Sequence, residues 1–356
     1  MNVLVLSHTD VTRLLTMEAC IEAMADALRA TSQGGAVLPL RSVVWMPDRT
    51  GMIGLMPGFL EQSETGGGAP DGSAGGAGGR APRGIDPPKS LGLKVVSIFP
   101  GNHAAGYDSH QGVVMLFDTR YGYPLAIMDA SSITAIRTAA CSGVATRALA
   151  RDDAGDLAIL GSGVQARTHL AAMRAVRTLR RVRVWSRTQA NAQRFAADSP
   201  VPVEVMPTAR AAVDGADLVC TTTAAREPVL EGAWLAPGAH VNAVGACFAA
   251  TRELDTAAVA RARLVVDRKE STLNESGDFL FARRDGAIGD DHILGELGDL
   301  LLGRFAGRRG TDDITLFKSL GIAIEDLASA HYIYTQAVAQ GVGASVPLGP
   351  DPLPHP

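Results

Sequence analysis

The sequence has few cysteines, little net charge and no long apolar run, and each shortage argues against a class of protein. Its four cysteines form no CxxC pair, which argues against a disulfide framework or a structural zinc site and fits a reducing cytoplasm. A formal net charge of −4 over 356 residues gives no reason to expect nucleic acid or an anionic membrane as partner. No apolar run approaches the ~20 residues of a membrane span, and the opening "MNVLVLSHTD" lacks the basic lead of a signal peptide. We therefore expect a soluble cytoplasmic protein without a metal site.

From residue 156 onward, short β-rich runs alternate with helical segments. Strands alternating with helices indicate βαβ units and a parallel, doubly wound sheet. Six strands are the full count of a dinucleotide-binding domain. The predicted strands are "DLAIL" (156–160), "RVRVW" (181–185), "VPVEV" (201–205), "DLVCT" (217–221), "HVNAV" (240–244) and "RLVVD" (263–267).

The first 130 residues have a different pattern. The amphipathic helix "MEACIEAMADALRATSQ" precedes β-type stretches joined by turn-rich links, which predicts a mostly antiparallel sheet. Residues 65–84 hold nine glycines in twenty residues, so we expect a flexible surface loop there. Near the C-terminal end, "GIAIEDLASAHYIYTQAVAQGVG" predicts one long helix that ends in glycine, followed by a frayed tail, "PLGPDPLPHP".

A glycine-rich turn follows the first strand of the alternating region. Gly161, Gly163 and Ala166 match G-x-G-x-x-G/A between a predicted strand and a predicted helix. The first glycine makes the tight turn, the second lets a pyrophosphate approach, and the small third residue lets the helix pack closely. Val164 and Gln165 lie in the first helical turn, whose N–H groups attract anions. We predict a dinucleotide site; the alternative is a plain glycine hinge.

The end of the second strand predicts which dinucleotide binds. An NAD site usually has an acidic residue there for the ribose 2′-hydroxyl, but this strand ends in Ser186, Arg187 and Thr188. A guanidinium flanked by two hydroxyls suits a 2′-phosphate. We predict NADP(H) as the preferred cofactor, with NAD(H) as the second option. The alternative interpretation is that Arg187 is an ordinary solvated side chain.

With these motifs placed, the chain resembles the ornithine cyclodeaminase/mu-crystallin family over nearly its whole length, apart from the glycine-rich insert and the tail. The resemblance implies a dimeric two-domain enzyme that acts on small amino or imino acids. Its parts would be a substrate-binding and dimerisation domain (1–135), a Rossmann domain (136–318) and a C-terminal helix that returns to the first domain (319–356). The motifs are "GLKVVSIFPGN", "ASSITAIRTAACSGVAT", "ILGSGVQA", "VWSRT", "VNAVGA", "STLNESGD" and "TLFKSLGIAIEDLASA".

The resemblance also implies site residues. Lys94 matches the family's active-site lysine, and a lysine inside an apolar strand needs an anionic partner; the alternative is a lysine that blunts a sheet edge. Arg137 matches the arginine that binds the substrate carboxylate, a task suited to its bidentate fork; the alternative is a helix-surface arginine. Arg41 matches a second carboxylate-binding arginine. The remaining predicted cofactor contacts are Thr222, Val244, Lys318 and Ser319.

One position departs from the family pattern. Cyclodeaminases have an aspartate after the "NAVG" strand, and Cys247 occupies that place here. A thiol with an ordinary pKa near 8.5 is mostly neutral at pH 7 and replaces a carboxylate poorly. Asp267 and Asp278 are alternative acids. The other interpretation of Cys247 is a small buried filler.

These features predict NADPH-dependent reduction of a small 2-imino acid. The expected substrates are pyrroline-2-carboxylate or piperideine-2-carboxylate, which give proline or pipecolate. Arg137, Arg41 and Lys94 would hold the carboxylate, mainly for orientation. Two alternatives stay open: an ornithine or lysine cyclodeaminase or alanine-dehydrogenase-like enzyme, and a crystallin-type protein that binds its ligand without turnover.

Overall fold

The computed structural model describes residues 2–61 and 89–349, so the glycine-rich insert predicted at 65–84 lies outside the described residues. The strands are β1 (Asn2–Leu6), β2 (Ala36–Val37), β3 (Ser42–Trp45), β4 (Met52–Glu61), β5 (Lys89–Ile98), β6 (His110–Phe117), β7 (Pro124–Asp129), β8 (Asp156–Leu160), β9 (Arg181–Trp185), β10 (Glu204–Val205), β11 (Leu218–Thr221), β12 (His240–Ala243), β13 (Arg263–Val266), β14 (Ile293–Glu296), β15 (Thr315–Lys318) and β16 (Ala344–Pro347). The α-helices are α1 (His8–Leu14), α2 (Met17–Ser32), α3 (Ala130–Leu149), α4 (Val164–Val176), α5 (Gln189–Ala197), α6 (Ala209–Val213), α7 (Thr256–Arg261), α8 (Lys269–Glu275), α9 (Gly277–Arg284), α10 (Leu297–Leu301) and α11 (Ala323–Gln340).

The second half of the chain forms a parallel sheet in the order β10-β9-β8-β11-β12-β15-β13-β14. The predicted doubly wound fold is confirmed, but the count of six strands is wrong because β14 and β15 were missed. A buried parallel strand of four residues shows no polar alternation that would reveal it. Strand β15 lies between β12 and β13 and pairs Lys318 with Ala243. The motif "TLFK" therefore enters the centre of the sheet.

The first half of the chain, together with β16, forms the other sheet, which we call the first sheet; the parallel sheet is the second. The first sheet is mostly antiparallel, as predicted. Its strands follow the order β16-β1-β7-β6-β5-β4-β2, with β3 paired to β4, and β1 runs parallel to β7. The predicted frayed tail begins at Pro347, but this residue belongs to β16 and pairs with Asn2 of β1. The prediction is therefore wrong for the first residue of the tail. The rest of the tail from 350 onward lies outside the described residues.

Helix α3 packs against strands of both sheets, including β6 of the first and β12 of the second. Its residues are mostly small, and 15 of the 20 are buried. A helix that is apolar or small on every side belongs in the interior. This placement puts Arg137, in the middle of α3, between the two sheets. Within the described residues, no helix is long and apolar enough to cross a membrane.

Helix α11 lies on the inner face of the first sheet, against a platform of two glycines. Gly58 and Gly92 face each other across β4 and β5. A Cβ on Gly92 would lie 2.6 Å from Cδ2 of Leu327, and one on Gly58 would lie 3.1 Å from Cβ of Ala323. The glycines therefore allow the helix to approach the strands closely. The helix ends at Gly341 with φ 64°, as the sequence predicted.

The opposite face of this sheet is apolar. Large side chains from neighbouring strands form continuous rows in register, and they are half-buried or exposed. Within the described residues, the helices that contact β4, β5 and β6 lie on the inner face, which holds the core. The rows contain Leu55, Val95 and Val113; Leu93, Met115 and Ile127; and Phe59, Leu91 and Phe117.

We expect Gly92→Ala to lower the free energy of unfolding by ~1–3 kcal/mol, the usual cost of overpacking. The added methyl group meets the backbone carbonyl of Met115 as well as Leu327, and the carbonyl cannot move without breaking the sheet. Urea denaturation measures the change. Gly101→Ala is the control, because a Cβ there meets nothing within 4 Å. Equal stability of the two variants would contradict the role of the platform.

Candidate active site

The glycine turn joins β8 to α4 and has the geometry of an anion-binding turn. Gly161 has φ 121°, and a Cβ there would lie 2.6 Å from Thr222 Oγ1, so only glycine fits. Around Gly163 the space is open, and no side chain caps the helix start. Ala166 is fully buried, which lets α4 pack closely on the sheet. The free N–H groups of the first helical turn can therefore receive a phosphate.

Three buried polar atoms near the carboxyl edge of the second sheet have no hydrogen-bond partner among the described residues. They are Thr134 Oγ1, Gln165 Oε1 and Ser319 Oγ. Buried polar atoms in proteins normally have partners, so these atoms indicate a polar ligand. A nicotinamide dinucleotide carries the amide, hydroxyl and phosphate groups that would satisfy them. Val244 is buried at the same edge, where its N–H donates to Thr221.

The end of β9 lies directly beside the glycine turn. The N–H of Gly161 donates to the carbonyl of Trp185, the last residue of β9. Ser162 Oγ donates to Ser186 Oγ at 3.0 Å. Arg187 and Thr188 follow on the exposed surface. The three residues predicted to recognise the adenosine ribose therefore lie next to the predicted pyrophosphate turn.

A buried cluster of charges lies where α3, α11 and β5 meet. Asp326 accepts a hydrogen bond from Nε of Arg137 at 3.0 Å and pairs with Nζ of Lys94 at 2.8 Å. All three side chains are buried, with at most 5% exposed. Lys94 lies in a strand flanked by β4 and β6, so it is not an edge lysine. Burial lowers the pKa of Lys94 to about 8 against the opposing effect of Asp326.

Glu325 precedes Asp326 and is a second acid in this cluster. Its Oε2 accepts a hydrogen bond from Nη1 of Arg137 at 2.5 Å, while its Oε1 has no partner among the described residues. Burial raises the pKa of Glu325 to about 7, although Arg137 opposes the shift. Burial disfavours the charge on Arg137 too, but Asp326 and Glu325 more than compensate and raise its pKa.

Arg41 connects the segment before β3 with two parts of the second half of the chain. Its Nε lies 2.9 Å from Glu275, and its Nη2 donates to the carbonyls of Leu320 and Gly321 at 2.9 and 3.0 Å. Gly321 has φ 74°, and a Cβ there would lie 2.7 Å from Nη2 of Arg137. This loop therefore brings Arg41 and Arg137 to opposite sides of one glycine.

Lys318 lies at the carboxyl end of β15 and is buried. Its Nζ pairs with Asp278 at 2.9 Å. Burial alone would lower the pKa of Lys318, but Asp278, with Cys247 and Glu253, raises it. Asp278 also accepts hydrogen bonds from the N–H groups of Glu253 and Leu254. The pair thus fixes the loop after β12 to the centre of the sheet.

Cys247 lies in that loop and is half-buried. Its Sγ donates to the carbonyl of Val244 at 3.2 Å. Burial raises its pKa against the opposing effects of Lys318 and Arg41, so the thiol is neutral at pH 7. The next residue, Phe248, contacts Trp45 of β3 with ring centroids 6.1 Å apart. Cys247 therefore lies where the loop meets the first sheet.

The two alternative acids have structural partners. Asp267 accepts hydrogen bonds from the N–H groups of Leu320, Gly321 and Arg268 at 2.5 to 2.7 Å. Burial raises its pKa against these bonds. Asp278 is paired with Lys318. Both acids hold loops around the site in this structure.

The structure thus brings Lys94, Arg137 and the glycine turn together. Gln165, in the first turn of α4, donates to the carbonyl of Thr134, which precedes Arg137 by one turn of α3. The sequence interpretation missed Glu325 and Asp326, the acids that hold the cations. The available signal was two adjacent acids in the otherwise small and apolar segment "GIAIEDLASA", since buried acids are usually paired.

A depression of about 370 Å³ lies elsewhere, at the amino end of β9, and contains none of the predicted site residues. Three of the arginines that line it are engaged by the protein itself. Arg177 donates to carbonyls at the end of α3, Arg180 pairs with Asp217, and Arg181 pairs with Glu204. The candidate site is instead the charged cluster, where buried cations lie beside the glycine turn.

Comparisons with known proteins agree with this geometry. The sequence model of the ornithine cyclodeaminase/mu-crystallin family matches residues 85–341. Ketimine reductase mu-crystallin of Mus musculus is 38% identical over 301 residues, which cover 85% of this chain and 85% of that protein. The structure of Thermococcus litoralis Δ1-pyrroline-2-carboxylate reductase, in complex with NADH and L-proline, matches with a TM-score of 0.87 at 38% identity, covering 96% of this chain and 100% of that chain.

A third comparison is with an archaeal alanine dehydrogenase, solved as a dimer with bound NAD. It matches with a TM-score of 0.85 at 29% identity and covers 98% of this chain and 100% of that chain. The family match spans both sheets and includes the glycine turn, the buried cations and α11. The chain therefore belongs to the ornithine cyclodeaminase/mu-crystallin family.

Proposed function

We propose that this chain is an NAD(P)H-dependent reductase of small cyclic 2-imino acids, which reduces pyrroline-2-carboxylate to proline or piperideine-2-carboxylate to pipecolate. The observation that carries the proposal is the buried pair Lys94 and Arg137, held together by Asp326 beside the start of α4. Buried cations next to a nucleotide turn suit a small anionic substrate. The named activities of the mouse and Thermococcus relatives support the same chemistry.

The residues of this chain bind and orient the substrate. Arg137 and Lys94 would hold its carboxylate, which fixes the imine carbon relative to the cofactor and converts binding into orientation. Arg41 would contribute a third positive charge from the other side of Gly321, where its guanidinium now contacts Glu275. A nicotinamide cofactor, when bound, would supply the hydride for the imine carbon. Gly161, Gly163, Ser186 and Ser319 are among the residues that would hold it.

Reduction of a neutral imine also needs one proton on nitrogen. We assign this proton to Lys94. With a pKa of about 8, most of Lys94 is in the ammonium form at pH 7, and this ammonium is acidic enough to donate its proton. After donation, Lys94 is a neutral amine beside Asp326, and a proton from solvent restores its ammonium form. A substrate that enters as the iminium needs no donor. The neutral thiol of Cys247 is therefore compatible with imine reduction.

We propose NADP(H) as the preferred cofactor. Ser186, Arg187 and Thr188 present two hydroxyls and a guanidinium beside the glycine turn, without a carboxylate for a ribose hydroxyl. A 2′-phosphate suits this set. The Thermococcus relative was solved with NADH, so use of NAD(H) is the competing outcome.

We propose that the chain forms a homodimer through the outer face of the first sheet. The apolar rows on β4 to β7 form a continuous surface, and two such faces would bury each other. A continuous apolar surface that is only partly covered is typical of an interface. The dimeric state of the archaeal alanine dehydrogenase supports a second copy as the occupant.

The function is tested by oxidation of NADPH and NADH against cyclic imines, and against 2-oxo acids with ammonia or methylamine. We expect turnover of pyrroline- or piperideine-2-carboxylate and no ammonia release from ornithine with NAD⁺. Robust ammonia release would indicate a cyclodeaminase, and binding without turnover would indicate a crystallin-type protein.

The role of Cys247 is tested by substitution. Cys247→Ala should keep kcat/KM within about threefold of the wild type, because the thiol carries no charge the reaction needs. Near-total loss of activity in a folded Cys247→Ala variant would make the thiol catalytic.

Cofactor choice is tested at Arg187. We expect Arg187→Ala to weaken NADPH binding by ~1.5–3 kcal/mol, the scale of a charge-assisted hydrogen bond, and to leave NADH nearly unchanged. Fluorescence titration of both cofactors measures this. Arg194→Ala, at an exposed arginine of α5, is the matched control. Equal losses for NADPH and NADH would refute the assignment.

The interface is tested by charge. We expect the wild type to have twice the mass of one chain in light scattering, and Leu91→Glu to shift it toward the monomer, because burying an unpaired carboxylate is costly. Val338→Glu is the control, since Val338 is 60% exposed on α11. A monomeric wild type would refute the dimer. A dimer that Leu91→Glu leaves intact would place the interface on another surface.

A further inference from the structure

The two adjacent acids of α11 differ in how they are held. Both oxygens of Asp326 face cations, Oδ1 toward Arg137 and Oδ2 toward Lys94. Glu325 contacts one cation through Oε2, and its buried Oε1 has no partner among the described residues. Glu325 is therefore the acid with a free oxygen on which a proton can be placed.

The buried cluster is electrically balanced without substrate. Lys94 and Arg137 carry two positive charges, and Glu325 and Asp326 carry two negative charges when both are ionised. A substrate carboxylate that binds Arg137 adds one more negative charge in a region that solvent barely reaches. An unbalanced buried charge is costly. One proton taken up by the cluster would restore neutrality.

The neighbours of Glu325 decide where that proton binds. From α3, Arg137 favours its ionised form, and Cys141 lies within hydrogen-bonding reach. Asp267, after β13, and Asp326 both favour the protonated form. Cys20 of α2 also faces the cluster, and burial raises the pKa of this thiol to about 12, so it stays neutral.

Lys94, on β5, is the competing group in the cluster. It faces Asp326 and Arg137, and its pKa of about 8 lies above the value of about 7 for Glu325. The two groups would therefore take up a proton over different pH ranges.

We propose that Glu325 takes up a proton from solvent when the carboxylate of the substrate binds Arg137, so that substrate binding is coupled to proton uptake. The new O–H bond forms at Oε1, and the proton returns to solvent when the product leaves. Glu325 acts through Arg137 and is a positioning residue. This inference rests on the proposed function, since it deepens the role of the same site.

The test is calorimetric titration of the NADPH-bound enzyme with pyrrole-2-carboxylate, in two buffers of different ionisation enthalpy. The ring nitrogen of this probe is not basic, so any proton taken up is bound by the protein. At pH 7 we expect uptake of about half a proton per site in the wild type, because Glu325 is then about half ionised before binding whereas Lys94 is already mostly protonated. Linkage also predicts that Kd rises about tenfold per pH unit above pH 7.

Glu325→Gln should abolish the proton uptake at pH 7 and delay the rise in Kd until about pH 8, where Lys94 loses its proton, because the amide keeps an acceptor for Arg137 but cannot ionise. Glu22→Gln is the matched control: Glu22 also pairs with an arginine, Arg147, but on the exposed surface. It should keep the wild-type uptake. Circular dichroism melting shows whether each variant is folded.

Several outcomes would overturn the inference. Uptake that persists in folded Glu325→Gln would assign the proton to another group. If that variant does not fold, the wild-type pH profile decides: a midpoint near 8 rather than 7 would assign the proton to Lys94. Binding without proton uptake in the wild type would refute this inference and leave the proposed function intact. Failure of the probe to bind, together with absence of imine reduction, would refute both.

Discussion

The carboxylate of Asp326 lies between two buried cations, and the arrangement of the site depends on this contact. Without it, Lys94 would be an unpaired charge in the interior, which is costly, and Arg137 would keep only Glu325 as a counter-ion. With it, one acid on the last helix fixes a strand of the first sheet and the helix that spans both sheets. The position of α11 therefore determines the geometry of the buried cluster.

Close packing places α11 where this contact can form. The facing glycines Gly58 and Gly92 leave room for Leu327, and the helix consequently lies near the strands. In the loop before α11, the absence of a side chain at Gly321 leaves room for the guanidinium of Arg137. Small residues on the strands and in the loop thus serve the charged cluster by allowing backbones and large side chains to approach one another.

Cys247 occupies the position at which the family resemblance implies an aspartate in cyclodeaminases. A neutral thiol at Cys247 supplies no charge, and the nearby acids Asp267 and Asp278 are engaged by backbone N–H groups and by Lys318. Charge in the substrate region is instead concentrated in the cluster on α3, α11 and β5. A preformed imine needs orientation and one proton, which such a cluster supplies.

The sequence by itself determined the features that depend on near neighbours. Period and glycine placement predicted the parallel sheet, helix α4 and the turn at Gly161, because strand–turn–helix geometry is decided within a few residues. Tertiary structure alone decided the place of β15 between β12 and β13 and the roles of Glu325 and Asp326. Arg137 and Asp326 are 189 residues apart in the chain. A pattern along the sequence shows that a buried charge needs a partner, but only the packing of distant elements selects which partner it has.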